Sequence, residues 1–218
     1  MALKIYPSRH HWTSSENYSL KRKKSKKNIH RKNNIQNDFS IHKNNNKPAL
    51  DFFEYYFGEI EYQKQRINDI NSLYSQFPIA VYETPPDNYN SGVFDYLRTP
   101  ISFDLEDRSV SFAGTIPEGS FIKLTTVNLA DIAEGAKYSM KKVFKASKLK
   151  HIVISLVFSC CSRHRILGSL AKNEFEYLKS KKLKNYVGFY GYGEISPTSE
   201  GEKSKYLSST ILTVLMGV

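Results

Sequence analysis

Cysteine is nearly absent from this chain. Its 218 residues hold two, Cys160 and Cys161, and they are neighbours. On a strand, adjacent side chains point to opposite faces, so a disulfide framework is excluded and a reducing cytoplasm is the natural compartment. Metal-ligand clusters are missing as well. His10, His11, His30 and His42 scatter through a basic segment, and His151 and His164 stand alone. Long hydrophobic runs are lacking. The most apolar stretch, Ile152–Cys161, has about half the ~20 residues that a membrane span needs. Met1–Arg9 has no apolar core, so it does not read as a signal peptide.

Acidic residues are scarce in one place only. Residues 1–47 carry twelve basic residues against Glu16 and Asp38, a net of +10. Residues 48–218 carry 20 basic and 19 acidic residues, so nearly all of the overall +11 lies in the first fifth of the chain. The leader centres on Lys21-Arg22-Lys23-Lys24-Ser25-Lys26-Lys27 and continues as an Asn/Lys-rich run to Lys47. Its composition favours disorder or a loose surface extension. Such a run can grip phosphate backbones or an acidic partner. It lacks aromatic interleaving at stacking spacing and any zinc-finger or helix-turn-helix pattern, so nucleic acid is disfavoured.

What is present is a globular pattern. Apolar residues make up 40%. Residues 48–218 read as one α+β domain: a mixed β-sheet flanked by helices, with a β-α-β unit and a C-terminal core strand. Pro48 suits the first position of a short helix that Gly58 ends. A second helix is expected over 61–75. Strands are expected at Ile79–Tyr82, Val93–Arg98, Ile101–Leu105, Val110–Ala113 and Phe121–Val127, each bounded by turn residues. The apolar stripe of Leu129, Ile132, Ala133, Ala136, Met140, Val143 and Phe144 predicts a helix over 129–147, with Asn128 and Asp131 close to a capping box. Ile152–Phe158 reads as a strand buried on both faces. A helix over roughly 165–181, a parallel strand Tyr186–Tyr190 and a last strand over 209–216 follow.

Two stretches could carry chemistry. Phe158-Ser159-Cys160-Cys161-Ser162-Arg163 ends the buried strand, where ligand sites gather in α/β sheets. A thiol and a guanidinium three residues apart can meet an anionic ligand. A nucleophilic cysteine needs a base, and buried cysteines serve most often as small core residues. Gly188-Phe189-Tyr190-Gly191-Tyr192-Gly193-Glu194 has glycines that let the backbone bend or approach a ligand. It is neither the dinucleotide fingerprint nor a phosphate loop. The plain alternative is a β-bulge with aromatic packing. Arg98 ends a strand and can pair with a carboxylate or sit on the surface.

These pieces resemble the FIST domain, in particular its C-terminal half. The likeness rests on Val157–Arg163 (VFSCCSR), Gly188–Pro197 (GFYGYGEISP) and Ser209–Leu215 (STILTVL). Upstream, Lys47–Glu59 (KPALDFFEYYFGE) resembles that half's opening helix. Phe94–Pro100 (FDYLRTP) and Phe112–Asn128 (FAGTIPEGSFIKLTTVN) follow in family order. Trp12 and the stretch to Lys47 resemble a degraded form of the junction that precedes this half. The resemblance therefore implies a truncated or split member.

The resemblance also implies a non-catalytic sensory domain of bacterial signal transduction that binds a small ligand such as an amino acid. Its candidate ligand-binding residues are Arg98, Cys160, Arg163, Tyr190 and Glu194. It leaves haem-based nitric oxide sensing as an alternative, with no local haem-ligand signature to support it, and the cofactor is otherwise unknown. Its partners would be the small ligand and a separately encoded N-terminal half or a signalling protein. Two positions depart from the family pattern. Leu207 and Ser208 stand where a His-Asn pair is common, and Cys161 stands where a smaller or aliphatic residue is usual.

Overall fold

The computed structural model describes residues 47–60, 74, 76–84, 94–126, 128–176, 185–197 and 201–218, with the backbone of five short strands ahead of them. The strands are β1 (Ile5–Pro7), β2 (Thr13–Ser14), β3 (Tyr18–Lys21), β4 (Ser40–Ile41), β5 (Lys43–Asn44), β6 (Lys47–Pro48), β7 (Ile79–Tyr82), β8 (Tyr96–Arg98), β9 (Pro100–Phe103), β10 (Val110–Phe112), β11 (Phe121–Thr126), β12 (Ile152–Cys160), β13 (Tyr186–Gly191), β14 (Glu194–Ser196), β15 (Lys205–Leu207) and β16 (Ile211–Gly217). The helices are α1 (Ala49–Phe57), α2 (Leu129–Ala146), α3 (Cys161–Leu167) and α4 (Ala171–Glu176). The fold is α+β with mixed sheets. The chain divides into two compact units, residues 14–124 and residues 1–13 with 125–218.

In the unit of residues 14–124, α1 carries its aromatic face into a cluster around Phe53. Rings of Phe52, Phe103, Phe112 and Tyr74 stand 5.2–6.4 Å from it. Pro48 precedes the helix as its cap rather than opening its first turn, because its ψ of 144° is extended. The helix expected over 61–75 falls almost wholly outside the described residues. The leader contributes paired backbone here: β3 and β5 lie antiparallel, and β3 also pairs with β11.

In the other unit the sheet order is β1-β16-β12-β13. β12 and β13 run parallel, in register from Ser155↔Tyr186 to Cys160↔Gly191, and β16 runs antiparallel to β12. α2 supplies the crossing layer. Its residues Ala136, Met140 and Val143 pack on Val157, Ile211 and Leu215 of the sheet. Burying the Met, Val, Ile and Leu side chains of this cluster contributes about 1.5–3 kcal/mol each. Asn128 caps α2 by accepting from the Ala130 amide at 3.0 Å. Asp131 sits in the first turn, where its charge complements the helix dipole, and the reciprocal half of a capping box is not what holds it.

β12 differs from the expectation of a strand buried on both faces. Ser155, Val157 and Ser159 are fully buried toward α2, while Ile154, Leu156 and Phe158 on the other face are half-buried. The apolar run is continuous because the second face still carries aliphatic and aromatic side chains, not because helices cover it.

The helix expected over 165–181 also changes. Helical geometry begins at Cys161, and Gly168 at φ +53° breaks it after seven residues. A short 3₁₀ turn, Gly168–Leu170, then redirects the chain into α4. The last strand starts two residues later than expected, because Ser209 takes a left-handed conformation.

Candidate functional site

The site forms where β12 becomes α3. Cys160 is the last extended residue and Cys161 the first helical one. The strand-to-helix turn between them removes the strict alternation of faces that a continuous strand would impose. The Cys160 amide donates to the Thr210 carbonyl at 2.9 Å, which fixes β12 beside the start of β16. The Ser162 hydroxyl donates to the Cys160 sulfur at 3.2 Å and shares a hydrogen bond of 2.9 Å with the Ser209 hydroxyl. The interaction with Cys161 first, and then burial, push the Cys160 thiol well above its ordinary pKa. The same interaction, with the charge of Arg165 adding to it, draws the Cys161 thiol down despite its own partial burial.

One turn further on, Arg163 points inward. Its side chain is 1% exposed and that of its partner Glu174 is 0% exposed. Arg163 Nε donates to Glu174 Oε1 at 2.6 Å, and a terminal nitrogen also donates to the Ile132 carbonyl at 2.8 Å. The other Glu174 oxygen accepts from Ser159 at 3.0 Å and from the Tyr190 hydroxyl at 3.2 Å. Ser159 and Tyr190 are in-register neighbours on the parallel strands, so the sheet delivers both hydroxyls to one carboxylate. Burial first, and then the Glu174 charge, push the Tyr190 hydroxyl well above its ordinary pKa. This network joins α2, α3, α4, β12 and β13. A pair so deeply buried survives only when its remaining lone pairs and protons are met, as they are here.

The third part is Glu194, the first residue of β14. The β14–β15 hairpin pairs Glu194 with Leu207 and returns the chain to Thr210. The Thr210 hydroxyl donates to Glu194 Oε2. Its other oxygen, Oε1, is buried and has no hydrogen-bond partner among the described residues. Glu194 is only 5% exposed. Burial pushes its carboxyl up to about 9, helped by the neighbouring Cys160 and opposed by the Thr210 hydrogen bond. Arg163 and Glu174 lie within electrostatic reach of it as well. Gly193, just before it, has φ +146°, and a Cβ there would come within 2.4 Å of the Tyr206 ring. Only glycine lets the strand turn in at this point.

The structure thus groups four of the five sequence-predicted residues in one unit: Cys160, Arg163, Tyr190 and Glu194. Arg98 belongs to the other unit. Its Nε donates to the Thr115 carbonyl and a terminal nitrogen to the Leu97 carbonyl, both at 2.9 Å, and its guanidinium lies 4.0 Å from the Tyr96 ring centre. Sequence reasoning missed Glu174, Ser159, Ser162, Ser209 and Thr210. For Glu174 local pattern gave no signal, because the break at Gly168 separates its helix from the one that carries Arg163. A cleft of about 660 Å³ opens at the opposite end of β12, lined by Phe144, Leu149, His151, Val153 and Asn185 among others. Of the buried polar atoms without a partner in this unit among the described residues, Glu194 Oε1 lies at the Cys160 end and Ser155 Oγ lies midway along β12; none belongs to a residue lining the cleft.

Among the described residues, no group of three or more potential metal ligands occurs. Nor, among them, is any helix long and apolar enough to cross a membrane. No curated protein and no solved structure matches the chain. The FIST C domain family model matches residues 49–197, well over half of the chain. This family consists of sensory domains of signal transduction and is not a known enzyme family. The match spans α1 through β14 and takes in Cys160, Arg163, Glu174, Tyr190 and Glu194, so the chain belongs to the FIST C domain family.

Proposed function

We propose that this domain is a small-ligand sensor, that the ligand is an amino acid or a related amine, and that Glu194 is its main polar contact. The observation that carries the reading is Glu194 Oε1, a buried oxygen with no partner. Leaving such a group unsatisfied costs about 1–3 kcal/mol, and buried orphans of this kind call for an explanation. A ligand ammonium supplies one. It would donate to Oε1 and stabilise the ionised carboxylate, which burial alone disfavours. The Thr210 hydroxyl holds the other carboxyl oxygen, so Oε1 is the one left for the ligand. The Arg163–Glu174 network, already internally satisfied, holds the strands and helices that carry these groups in place. Cys160 and Tyr190 help to frame the site. The cytoplasm suits a protein with two free thiols.

A thermal-shift panel of amino acids and simple amines at neutral pH tests this. At a hundredfold excess over Kd, a ligand that binds only the folded state stabilises it by about 2.7 kcal/mol. For a chain of this length that is a rise of roughly 5–10 °C. Glu194→Gln should abolish the rise, because an amide cannot supply the negative charge. A panel with no stabilising member, or an equal response from Glu194→Gln, would overturn the reading.

A further inference from the structure

The cleft at the start of β12 is separate from the Glu194 site and has the size of a ligand. It holds about 660 Å³. Small-molecule sites commonly run to about 300–1,000 Å³, with apolar walls and a few placed polar groups. The walls here are Phe144, Leu149, Ile152 and Val153. The first three also pack against the core of the unit. Val153 is 60% exposed, an apolar side chain that the fold leaves uncovered. Hydrogen bonds fix the rim. The Ser147 amide donates to the Phe144 carbonyl at 3.3 Å, and the Leu149 amide to the Ser147 hydroxyl at 3.2 Å. The His151 amide donates to the Val218 carbonyl at 2.8 Å, and the Asn185 side chain to the Val153 carbonyl at 3.3 Å. The cleft is therefore preformed.

Charge decides what can enter. Lys150 and His151 line the cleft, and among the described residues no acidic side chain does. Residues 135–173 hold no aspartate or glutamate at all. Lys150 is exposed, and so are Lys145 and Lys148, which are next in sequence to the lining residues Phe144, Ser147 and Leu149. The near-neutral total of residues 48–218 thus hides a cationic end. The C-terminal end of α2 opposes this with about half a negative charge, which three full positive charges outweigh. A cationic ligand is repelled here, and a neutral one gains nothing from the lysines. An anion with an apolar body suits both the rim and the walls.

We propose that this cleft is a second binding site, and that it takes a small amphiphilic carboxylate. The carboxylate meets Lys150 and His151 at the rim. The apolar body lies on Phe144 and Leu149 and covers Val153. The site shares no residue with the Glu194 site, so the two ligands bind without competing.

The experiment is isothermal titration calorimetry of the full-length chain with three probes of one chain length: octanoate, octanol and octylamine. Octanoate should bind saturably, one per chain. Octanol and octylamine should each bind about tenfold more weakly or worse, since each lacks the charge-assisted hydrogen bonds of the carboxylate. Lys150→Glu should weaken octanoate by about tenfold or more, and Lys150→Arg should keep it. Val153→Asp, which puts a like charge against the apolar body, should weaken it to a similar extent. Lys150 and Val153 are both exposed, so these variants fold. Glu194→Gln should bind octanoate as the wild type does, which separates this proposal from the amino-acid reading. Equal binding of octanol and octanoate, an unchanged Kd in Lys150→Glu, loss of octanoate in Glu194→Gln, or no saturable binding of octanoate would each refute it.

Discussion

Substituting Arg163 by Met tests the central network most directly. The side chain keeps much of its length but loses its charge and every donor. Glu174 Oε1 would lose the donation at 2.6 Å from Nε and its bond to the terminal nitrogen, and the Ile132 carbonyl would lose its partner at 2.8 Å. Ser159 and Tyr190 would remain, both on the opposite oxygen. The carboxylate would then sit in the interior without a cation. Breaking a buried pair from one side costs about 3–5 kcal/mol, because the surviving charge is uncompensated. Against a typical total of about 5–15 kcal/mol, that is a large share. Urea denaturation followed by far-UV circular dichroism should show the loss. A melting scan should fall by roughly 6–20 °C at 2–4 °C per kcal/mol. The double variant Arg163→Met with Glu174→Leu removes both charges and leaves the Ser159 and Tyr190 hydroxyls without their acceptor and the Ile132 carbonyl without its donor. It should be more stable than Arg163→Met alone by about 2 kcal/mol. If Arg163→Met lies within 1 kcal/mol of the wild type, or the double variant is the least stable of the set, the pair is not the dry staple described.

Other outcomes follow from the same geometry. Glu194 titrates near 4.5 when unfolded and about 9 when folded, so between those values the folded state binds the extra proton. Stability should therefore fall as pH rises through that window, by up to ~1.4 kcal/mol per pH unit, and Glu194→Gln should flatten the slope in denaturation curves taken from pH 5 to 9. Cys161 should be alkylated by iodoacetamide well before Cys160, as peptide mapping can read, because Cys160 is buried with its pKa raised while Cys161 is partly exposed with its pKa lowered. Gly193→Ala meets both a positive φ and the Tyr206 ring, so it should lower stability by about 1–3 kcal/mol or more in the same urea assay. Tyr190→Phe removes one donor to a buried carboxylate and should cost about 1.5–3 kcal/mol while keeping the fold.

Local pattern carried much of the architecture. The stripe from Leu129 to Phe144 specified α2 nearly to its ends, since period 3.6 and the Asn128 cap are properties of neighbouring residues. The apolar run at 152–158 and the strand at 186 specified the parallel pair, because a helix between two strands leaves little other topology. Arg163 was visible as a charged residue at a strand's C-terminal end, and its position suggested a ligand contact. What it meets depends on Glu174, eleven residues away across the break at Gly168, and no periodicity spans that bend.

The sequence by itself determined the order and type of the elements, the near-neutral charge of residues 48–218 and the family to which the chain belongs. Those rest on local spacing and on motifs in a fixed order. Only the tertiary structure decided which polar groups are satisfied. It committed Arg163 to Glu174, left one oxygen of Glu194 without a partner, and placed a strand-to-helix junction between Cys160 and Cys161. The physical reason is that hydrogen bonding and desolvation are set by distances in space. Residues such as Glu194 and Thr210, or Ser162 and Ser209, come together only after the hairpin and the sheet have formed.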